Sequence, residues 1–173
     1  HLLTENMRAG IALGSNIEPR LFYLQAARRP VFSLHYGTQP ILCSKVYETS
    51  PVGCSAGSPP FLNAALEFSS EMRPHELLDS LKGIERDLGR LPNQEKNSPR
   101  TIDIDLLYCD DIALSEPHLT IPHPRLAGRR FVLRPLADIR PKLILPHLAR
   151  NVEELLANLK SDESVDVYCN VMY

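Results

Sequence analysis

The hydrophobic pattern of the chain first predicts strands, because several short apolar runs rich in β-branched and aromatic residues are bounded by loop-forming residues. These runs are "AGIALGSN" (Ala9–Asn16), "ILCSKVYET" (Ile41–Thr49), "FLNAALEFSS" (Phe61–Ser70) and "RTIDIDLLYC" (Arg100–Cys109). The first run becomes polar at its end, as expected where a buried strand enters a loop. The second and third are separated by the proline-, glycine- and serine-rich stretch "SPVGCSAGSPP", which predicts a loop.

Other parts of the chain have the period of a helix. The clearest is Arg73–Arg90, with Pro74 near its first turn and Gly89 after its last. Its apolar residues recur at the spacing of one helical face, at Leu77, Leu81, Ile84 and Leu88. Weaker patterns predict a helix that starts at Pro19 and is ended or kinked by Pro30, and a last helix at "VEELLANLK".

The order strand, helix, strand, strand, helix, strand is the α+β pattern of two βαβ-like halves. We therefore expect a ferredoxin-like βαββαβ core, with an antiparallel sheet and helices packed on it. Prolines at positions 117, 122, 124, 135, 141 and 146 predict a Pro-rich C-terminal extension of short strands and turns that ends in a helix. The length of 173 residues fits one domain, 1–173, in which residues 1–6 are either an added remnant or the end of a longer polypeptide.

Composition narrows the possible partners. The formal net charge of -2 shows no basic excess, which argues against binding to nucleic acid. The four cysteines form no C-x-x-C pair and no zinc-ligand spacing, so reduced thiols are expected. The sequence contains neither an apolar run long enough to span a membrane nor an evident signal segment. We therefore expect a soluble, cytoplasmic protein without a membrane partner.

Candidate chemistry appears in the last predicted strand, where Asp103 and Asp105 alternate with apolar residues and so share one face. Two carboxylates about 6 to 7 Å apart in a half-buried setting repel each other unless a cation lies between them. Aspartate oxygens suit Mg²⁺, which takes further ligands from water and substrate phosphates. An isolated D-x-D is more often a solvent-facing surface, but Arg100 and the cations of "GRRF" (128–131) favour a phosphate site.

Taken together, the motifs are more specific than any one of them. In order, they are "ALGSN", "YETSPVG", "FLNAA", "IERDLGR", "PRTIDIDLL" and "LTIPHPRLAGRRFVLRPL". This series resembles the 6-hydroxymethyl-7,8-dihydropterin pyrophosphokinases over residues 9–159. The resemblance implies a ferredoxin-like enzyme of folate biosynthesis that moves the diphosphate of ATP onto the hydroxymethyl group of the pterin and releases AMP.

The resemblance also implies roles for individual residues. Two Mg²⁺ ions would be held by Asp103 and Asp105, and ATP would be the co-substrate. The implied catalytic residues are Asp103, Asp105, Arg100 and Arg90. The implied ATP contacts are Glu85, Arg100, Leu106, Thr120, His123 and Arg129. The implied pterin contacts are Thr49, Ser50, Val52, Phe61, Asn63 and Phe131, in which the two phenylalanines enclose the flat ring.

Simpler interpretations of the same residues stay open without the resemblance. Phe61 and Phe131 alone are more often core aromatics, Glu85 a solvated helix charge, and His123 a turn residue between two prolines. A Mg²⁺-dependent nucleotidyltransferase and a non-catalytic pterin- or nucleotide-binding module are the alternative functions. As an enzyme, the protein is expected to be a monomer, or to be fused to or associated with other folate enzymes. The connector 91–97 holds one cation, which predicts a less sealed lid and weaker ATP binding.

Overall fold

Six strands form one antiparallel sheet in the computed structural model, which describes residues 6–50, 59–89 and 100–170. In chain order, the elements are β1 (Met7–Ser15), α1 (Arg20–Phe32), β2 (Leu42–Cys43), β3 (Val46–Thr49), β4 (Phe61–Ser70), α2 (Pro74–Asp87), β5 (Asp103–Cys109), β6 (Leu114–Glu116), β7 (Leu119–Ile121), α3 (Arg130–Ile139), α4 (Val152–Asn158) and β8 (Val165–Cys169). The sheet order is β5-β1-β4-β3-β8, and β2 also pairs with β4. The prediction of an antiparallel sheet combined with helices is confirmed.

The sheet separates two apolar cores. One contains the inward faces of α1 and α2 together with Ile102, Ile104 and Leu106. The other contains the apolar faces of α3 and α4 together with Leu107. Because side chains alternate along a strand, Asp103 and Asp105 lie on the side of Leu107, where α3 and α4 pack. The strand therefore buries one face completely and presents its carboxylates at the end of the other.

The segment after β7 differs from its prediction as short strands and turns, because α3 is a regular helix with Pro135 inside it. Proline in a helix interior removes a backbone hydrogen bond. Here the loss is offset by burial of Val132, Leu133 and Leu136 in the second core. Similarly, Pro30 lies inside α1, which continues to Phe32.

The helix predicted at "VEELLANLK" is confirmed as α4, but it is not the last element, because a strand follows it. After α4, residues Val165–Cys169 form β8, which pairs antiparallel with β3. Two valines and a tyrosine give this segment strand propensity, and the free edge of β3 supplies the hydrogen-bonding partner. The result is an edge strand whose start lies beside the end of β3.

Two further sequence expectations can be compared with the described residues. Cys43 and Cys109 are free thiols in the described part of the chain, whereas Cys54 lies outside it. No helix among residues 6–50, 59–89 and 100–170 has the length and apolar character needed to cross a membrane.

Candidate active site

A pocket opens where β1, β3, β4 and β5 approach the start of α3. Its lining combines acidic, basic, amide and aromatic side chains. The lining residues are Ala12, Leu13, Gly14, Thr49, Ser50, Phe61, Asn63, Arg100, Asp103, Asp105, Arg129 and Phe131. Nine of these were predicted as site residues from the sequence, although they come from four separate segments of the chain.

The acidic wall of the pocket is formed by β5. In the antiparallel register with β1, Asp103 lies opposite Gly14 and Asp105 opposite Ala12. Both β1 residues are small, so the space above the strand pair stays open in front of the two carboxylates. Neither acid faces bulk solvent in the way an ordinary surface D-x-D pair does, since both side chains line the pocket.

Arg100 lies at the entrance to β5 and is held there by two contacts with Asn16. The backbone N–H of Arg100 donates to Asn16 Oδ1 at 2.7 Å, and the Asn16 N–H donates to the Arg100 carbonyl oxygen at 3.2 Å. The Arg100 guanidinium also donates to Asp103 Oδ2 at 3.2 Å. Asn16, 1% exposed, was missed as a functional residue by sequence reasoning. The polar end of the first strand was its only signal.

The charges in the pocket favour the binding of a cation beside the two aspartates. Burial, together with the negative charge of Asp103, raises the pKa of Asp105 to about 7. Burial and the nearby Arg125 lower the pKa of Arg129 from its ordinary value. Burial, with Arg129 and Arg125, lowers the pKa of His123 to about 4, so this imidazole is neutral at pH 7.

The two aspartates fit a hard divalent cation. In the described part of the chain, no three His, Cys, Asp or Glu side chains come together as metal ligands. Asp103 and Asp105 would therefore leave most coordination positions to water and phosphate oxygens, as Mg²⁺ prefers. A bound cation would also offset the cost of burying the charge of Asp105 and its repulsion by Asp103, which together raise the pKa of Asp105.

This electrostatic arrangement predicts a pH-dependent Mg²⁺ affinity. Since a carboxylate must be ionised to bind the cation, protons compete for Asp105 at any pH below its pKa of about 7. We expect the apparent affinity to rise about tenfold per pH unit on approaching neutrality and to level off above about pH 7.5. Calorimetric titration with MgCl₂ across this range measures it, and an affinity independent of pH would contradict the assignment.

The opposite wall of the pocket suits a flat, polar-edged ring. Phe61 projects from the start of β4, and Phe131 from the first turn of α3. Asn63 Nδ2 donates to Thr49 Oγ1 at 2.6 Å, which fixes the orientation of the amide. Aromatic faces with a few oriented polar groups are typical of sites for planar heterocycles.

Several residues predicted as ATP contacts lie outside this lining. Leu106 is buried in the first core, and Glu85 lies behind the wall, where its carboxylate accepts the Ile104 N–H at 2.7 Å. That bond satisfies the outer edge of β5, which has no strand beyond it in the described sheet. Thr120 lies on β7, and His123 donates its backbone N–H to the Leu107 carbonyl oxygen at 2.8 Å. Val52, Arg90 and the connector 91–97 lie outside the described residues.

The sequence model of the family described as 7,8-dihydro-6-hydroxymethylpterin-pyrophosphokinase (HPPK) matches residues 10–141. The chain belongs to this family. The match includes every described residue that lines the pocket. The match thus covers the pocket, the start of α3 and the sheet apart from β8 and the first residues of β1.

Relatives of the chain include both separate and fused members. The 2-amino-4-hydroxy-6-hydroxymethyldihydropteridine pyrophosphokinase of Pseudomonas aeruginosa is 37% identical over 150 residues, which are 87% of this chain and 90% of that protein. The folate synthesis bifunctional protein of Arabidopsis thaliana is 40% identical over 129 residues, which are 75% of this chain. The aligned part is only 26% of the Arabidopsis protein.

Solved structures agree on the fold. The crystal structure of wild-type Plasmodium falciparum HPPK-DHPS with SDX-DHP superposes with a TM-score of 0.70 and 15% sequence identity. The superposition covers 88% of this chain and 44% of the Plasmodium chain. The antiparallel sheet with its helices is therefore an HPPK fold, and the chain spans less than half of that larger protein.

Proposed function

We propose that this chain transfers the diphosphate of ATP to the hydroxymethyl group of 6-hydroxymethyl-7,8-dihydropterin and releases AMP, as a step of folate biosynthesis. The observation that carries the proposal is one pocket in which a carboxylate pair and two arginines face two phenylalanines. A phosphate-binding side and a flat-ring-binding side in the same pocket suit a transfer between a nucleotide and an aromatic heterocycle. Family membership and the name of the Pseudomonas relative support the same reaction.

The residues of the pocket divide this work. Arg100 and Arg129 offer fixed positive charge to the transferred phosphates, and arginine is well suited to phosphate oxygens. Asp103 and Asp105 would hold Mg²⁺, as two ions in the arrangement that we propose. When bound, Mg²⁺ supplies positive charge that neutralises the triphosphate and orients it for in-line transfer.

On the other side, Phe61 and Phe131 bind the pterin faces, while Asn63 and Thr49 orient its polar edge. Ser50 completes this edge at the end of β3. The hydroxymethyl group is then held toward the carboxylates, and the gain in rate comes mainly from positioning and charge neutralisation. The contacts predicted for Glu85, Leu106, Thr120 and His123 stay predictions, as do those of Val52 and Arg90.

The products distinguish this proposal from its alternatives. Incubation with ATP, Mg²⁺ and 6-hydroxymethyl-7,8-dihydropterin is expected to yield AMP, and omission of either the pterin or Mg²⁺ is expected to stop it. ADP as the product would indicate an ordinary kinase. Release of inorganic pyrophosphate would indicate a nucleotidyltransferase, and pterin binding without turnover would indicate a binding module.

Gly14→Ala tests the pterin side, because this glycine allows a close approach in the pocket. A methyl group there would lie 3.0 Å from Asn63 Oδ1 and 3.5 Å from Phe61 Cδ1. We expect the KM for pterin to rise about tenfold, with the KM for ATP changed less than about twofold. Steady-state kinetics measure both constants.

The matched control for this substitution is Gly83→Ala on α2, where a methyl group would meet only Arg86 Nη2, at 3.7 Å. This control is expected to leave both KM values unchanged. Equal effects of the two variants, or a rise confined to the KM for ATP, would contradict the assignment of the pterin side.

The same observations support a fold and an association with other enzymes for this chain. The strand order β5-β1-β4-β3 with α1 and α2 on one face supports a ferredoxin-like βαββαβ core. The fused Arabidopsis relative supports a place beside other folate enzymes, either within one chain or by association. A monomeric state and a cytoplasmic location stay predictions.

A further inference from the structure

The segment just before β8 contacts the pterin side of the pocket, and we call residues 161–164 the C-terminal strap. The strap leads from α4 into β8, where Val165 pairs with Thr49 of β3. Its conformation is fixed locally by the Glu163 N–H, which donates to Ser161 Oγ at 3.1 Å. The strap therefore holds a defined position beside the start of α3 and the end of β3.

The first contact of the strap is with helix α3. The first N–H groups of a helix have no partner within the helix, and a side chain usually accepts one of them. The N-cap residue of α3, Arg129, provides no side-chain cap, and the first turn contains no acid. Glu163 supplies the missing acceptor from outside the helix, because its Oε2 accepts the Phe131 N–H at 3.2 Å.

The Glu163 contact acts on a residue of the pocket. Phe131 is the aromatic residue that α3 contributes to the lining, and its ring lies 5.3 Å from the Arg129 guanidinium carbon. A carboxylate at the positive end of a helix is also favourable electrostatically. Glu163 therefore fixes the backbone of Phe131 in the first turn of α3.

The second contact of the strap is with Ser50, on a different wall of the pocket. The Ser50 N–H donates to the Ser164 carbonyl oxygen at 3.2 Å, and the Ser164 N–H donates to Ser50 Oγ at 3.3 Å. Ser164 is exposed, so these bonds contribute little to overall stability. Their effect is on geometry, because the neighbouring strap residues Glu163 and Ser164 contact the start of α3 and the end of β3.

We propose that Glu163 is a positioning residue for the pterin, which acts by fixing the backbone of Phe131 at the start of α3. This role rests on the proposed function, since it assumes that Phe131 contacts the pterin ring. It adds a residue from the C-terminal strap to a site otherwise built from β1, β3, β4, β5 and the start of α3. It also predicts that removal of the strap contact affects the pterin more than ATP.

The test compares Glu163→Ala with Glu163→Gln in the whole chain. The amide oxygen of glutamine still accepts the Phe131 N–H, whereas alanine leaves it without this partner. In calorimetry with Mg²⁺ and a nonhydrolysable ATP analogue present, we expect Glu163→Ala to weaken binding of 6-hydroxymethylpterin about three- to tenfold. Glu163→Gln is expected to recover most of the affinity, and binding of the ATP analogue is expected to stay within about twofold in both variants.

Asp162→Ala is the matched control, because Asp162 is an exposed acid adjacent to Glu163 in the strap. It is expected to bind pterin as the wild type does. Equal pterin affinity in Glu163→Ala and wild type would overturn the positioning role, as would a parallel loss of pterin and ATP binding accompanied by a lower Tm. If the wild type binds no pterin, the proposed function itself fails, which is a separate result.

Discussion

Asp105→Asn is expected to reduce turnover by at least about a thousandfold, because it removes one of the two carboxylates assigned to Mg²⁺. Asparagine has nearly the same shape, so the pocket walls stay in place. The loss therefore reports on charge and metal binding rather than on packing. Measurement of kcat at saturating ATP, pterin and Mg²⁺ gives the effect directly.

The same substitution is expected to make the metal-free protein more stable above neutral pH. The pKa of Asp105 is raised to about 7, so the folded chain holds this proton more tightly than the unfolded chain does. The stability of the wild type therefore falls as the pH rises from about 4 to 7, where the folded carboxylate must ionise. Asparagine cannot ionise, and we expect a gain of about 1–2 kcal/mol at about pH 8 without Mg²⁺, since the side chain is only half-buried.

Asp111→Asn provides the control, because Asp111 lies in the exposed turn after β5. It is expected to change neither kcat nor the free energy of unfolding by a measurable amount. Chemical denaturation with and without MgCl₂ completes the comparison. An Asp105→Asn variant with normal turnover, or one that is less stable than the wild type in the absence of metal, would contradict this account of the acidic wall.

Glu67→Ala is expected to have the largest effect on stability, although Glu67 lies at the other end of β4 from Phe61. Its carboxylate is 1% exposed and is shared by three donors. Oε1 accepts from the Tyr108 hydroxyl at 2.5 Å and from Arg140 Nη1 at 2.6 Å, and Oε2 accepts from Arg8 Nε at 3.0 Å. Removal of this carboxylate takes a hydrogen-bond acceptor away from the guanidinium groups of Arg8 and Arg140 and from the buried Tyr108 hydroxyl.

Gly10 makes this network possible. It lies between Glu67 and Tyr108 in the sheet register, and a Cβ at Gly10 would lie 2.2 Å from the Tyr108 ring. The ring therefore crosses over the glycine to reach the carboxylate on the second strand away. Burial and the negative charge of Glu67 raise the pKa of Tyr108, which keeps its hydroxyl protonated as a donor.

Loss of one partner of a buried ion pair costs about 3–5 kcal/mol, which is a large part of the stability of a domain of this size. Urea denaturation of Glu67→Ala is expected to show this loss. Glu153→Ala is the control, since Glu153 and Lys142 form a solvent-exposed pair at 2.7 Å whose loss is expected to leave the urea midpoint almost unchanged. A loss below about 1 kcal/mol for Glu67→Ala would show that the network is not structurally important.

The sequence predicted the acidic strand well, because strand alternation is a local property. Once Ile102, Ile104 and Leu106 are assigned to the core, Asp103 and Asp105 must share the opposite face. Asp110 and Asp111 follow the apolar end of this strand and form the turn after it. The phenylalanines were assigned by resemblance, since an isolated Phe61 or Phe131 carries no local sign of its role.

Interactions between distant segments were not predictable in this way. Asn16 and Arg100 meet where β1 ends beside the start of β5, and no period in the sequence links them. Strand β8 was missed because its pairing depends on the free edge of β3. The contact between Glu163 and Phe131 depends in turn on that strand, and the Glu67 network depends on the sheet register.

Helix α3 was missed for a different reason. Proline at position 135 argues locally against a helix, but an amphipathic face buried in the second core stabilises it. Tertiary packing thus overrides the local preference at this place. The consequence for function is direct, because the start of α3 contributes both Arg129 and Phe131 to the pocket.

In the proposed reaction, both terminal phosphates of ATP move together onto the pterin. ATP labelled at its β phosphorus tests this most directly, with Mg²⁺ and 6-hydroxymethyl-7,8-dihydropterin as the other reactants. We expect the label to appear in the pterin product while unlabelled AMP is released. Label retained in ADP, or released in inorganic pyrophosphate, would contradict it.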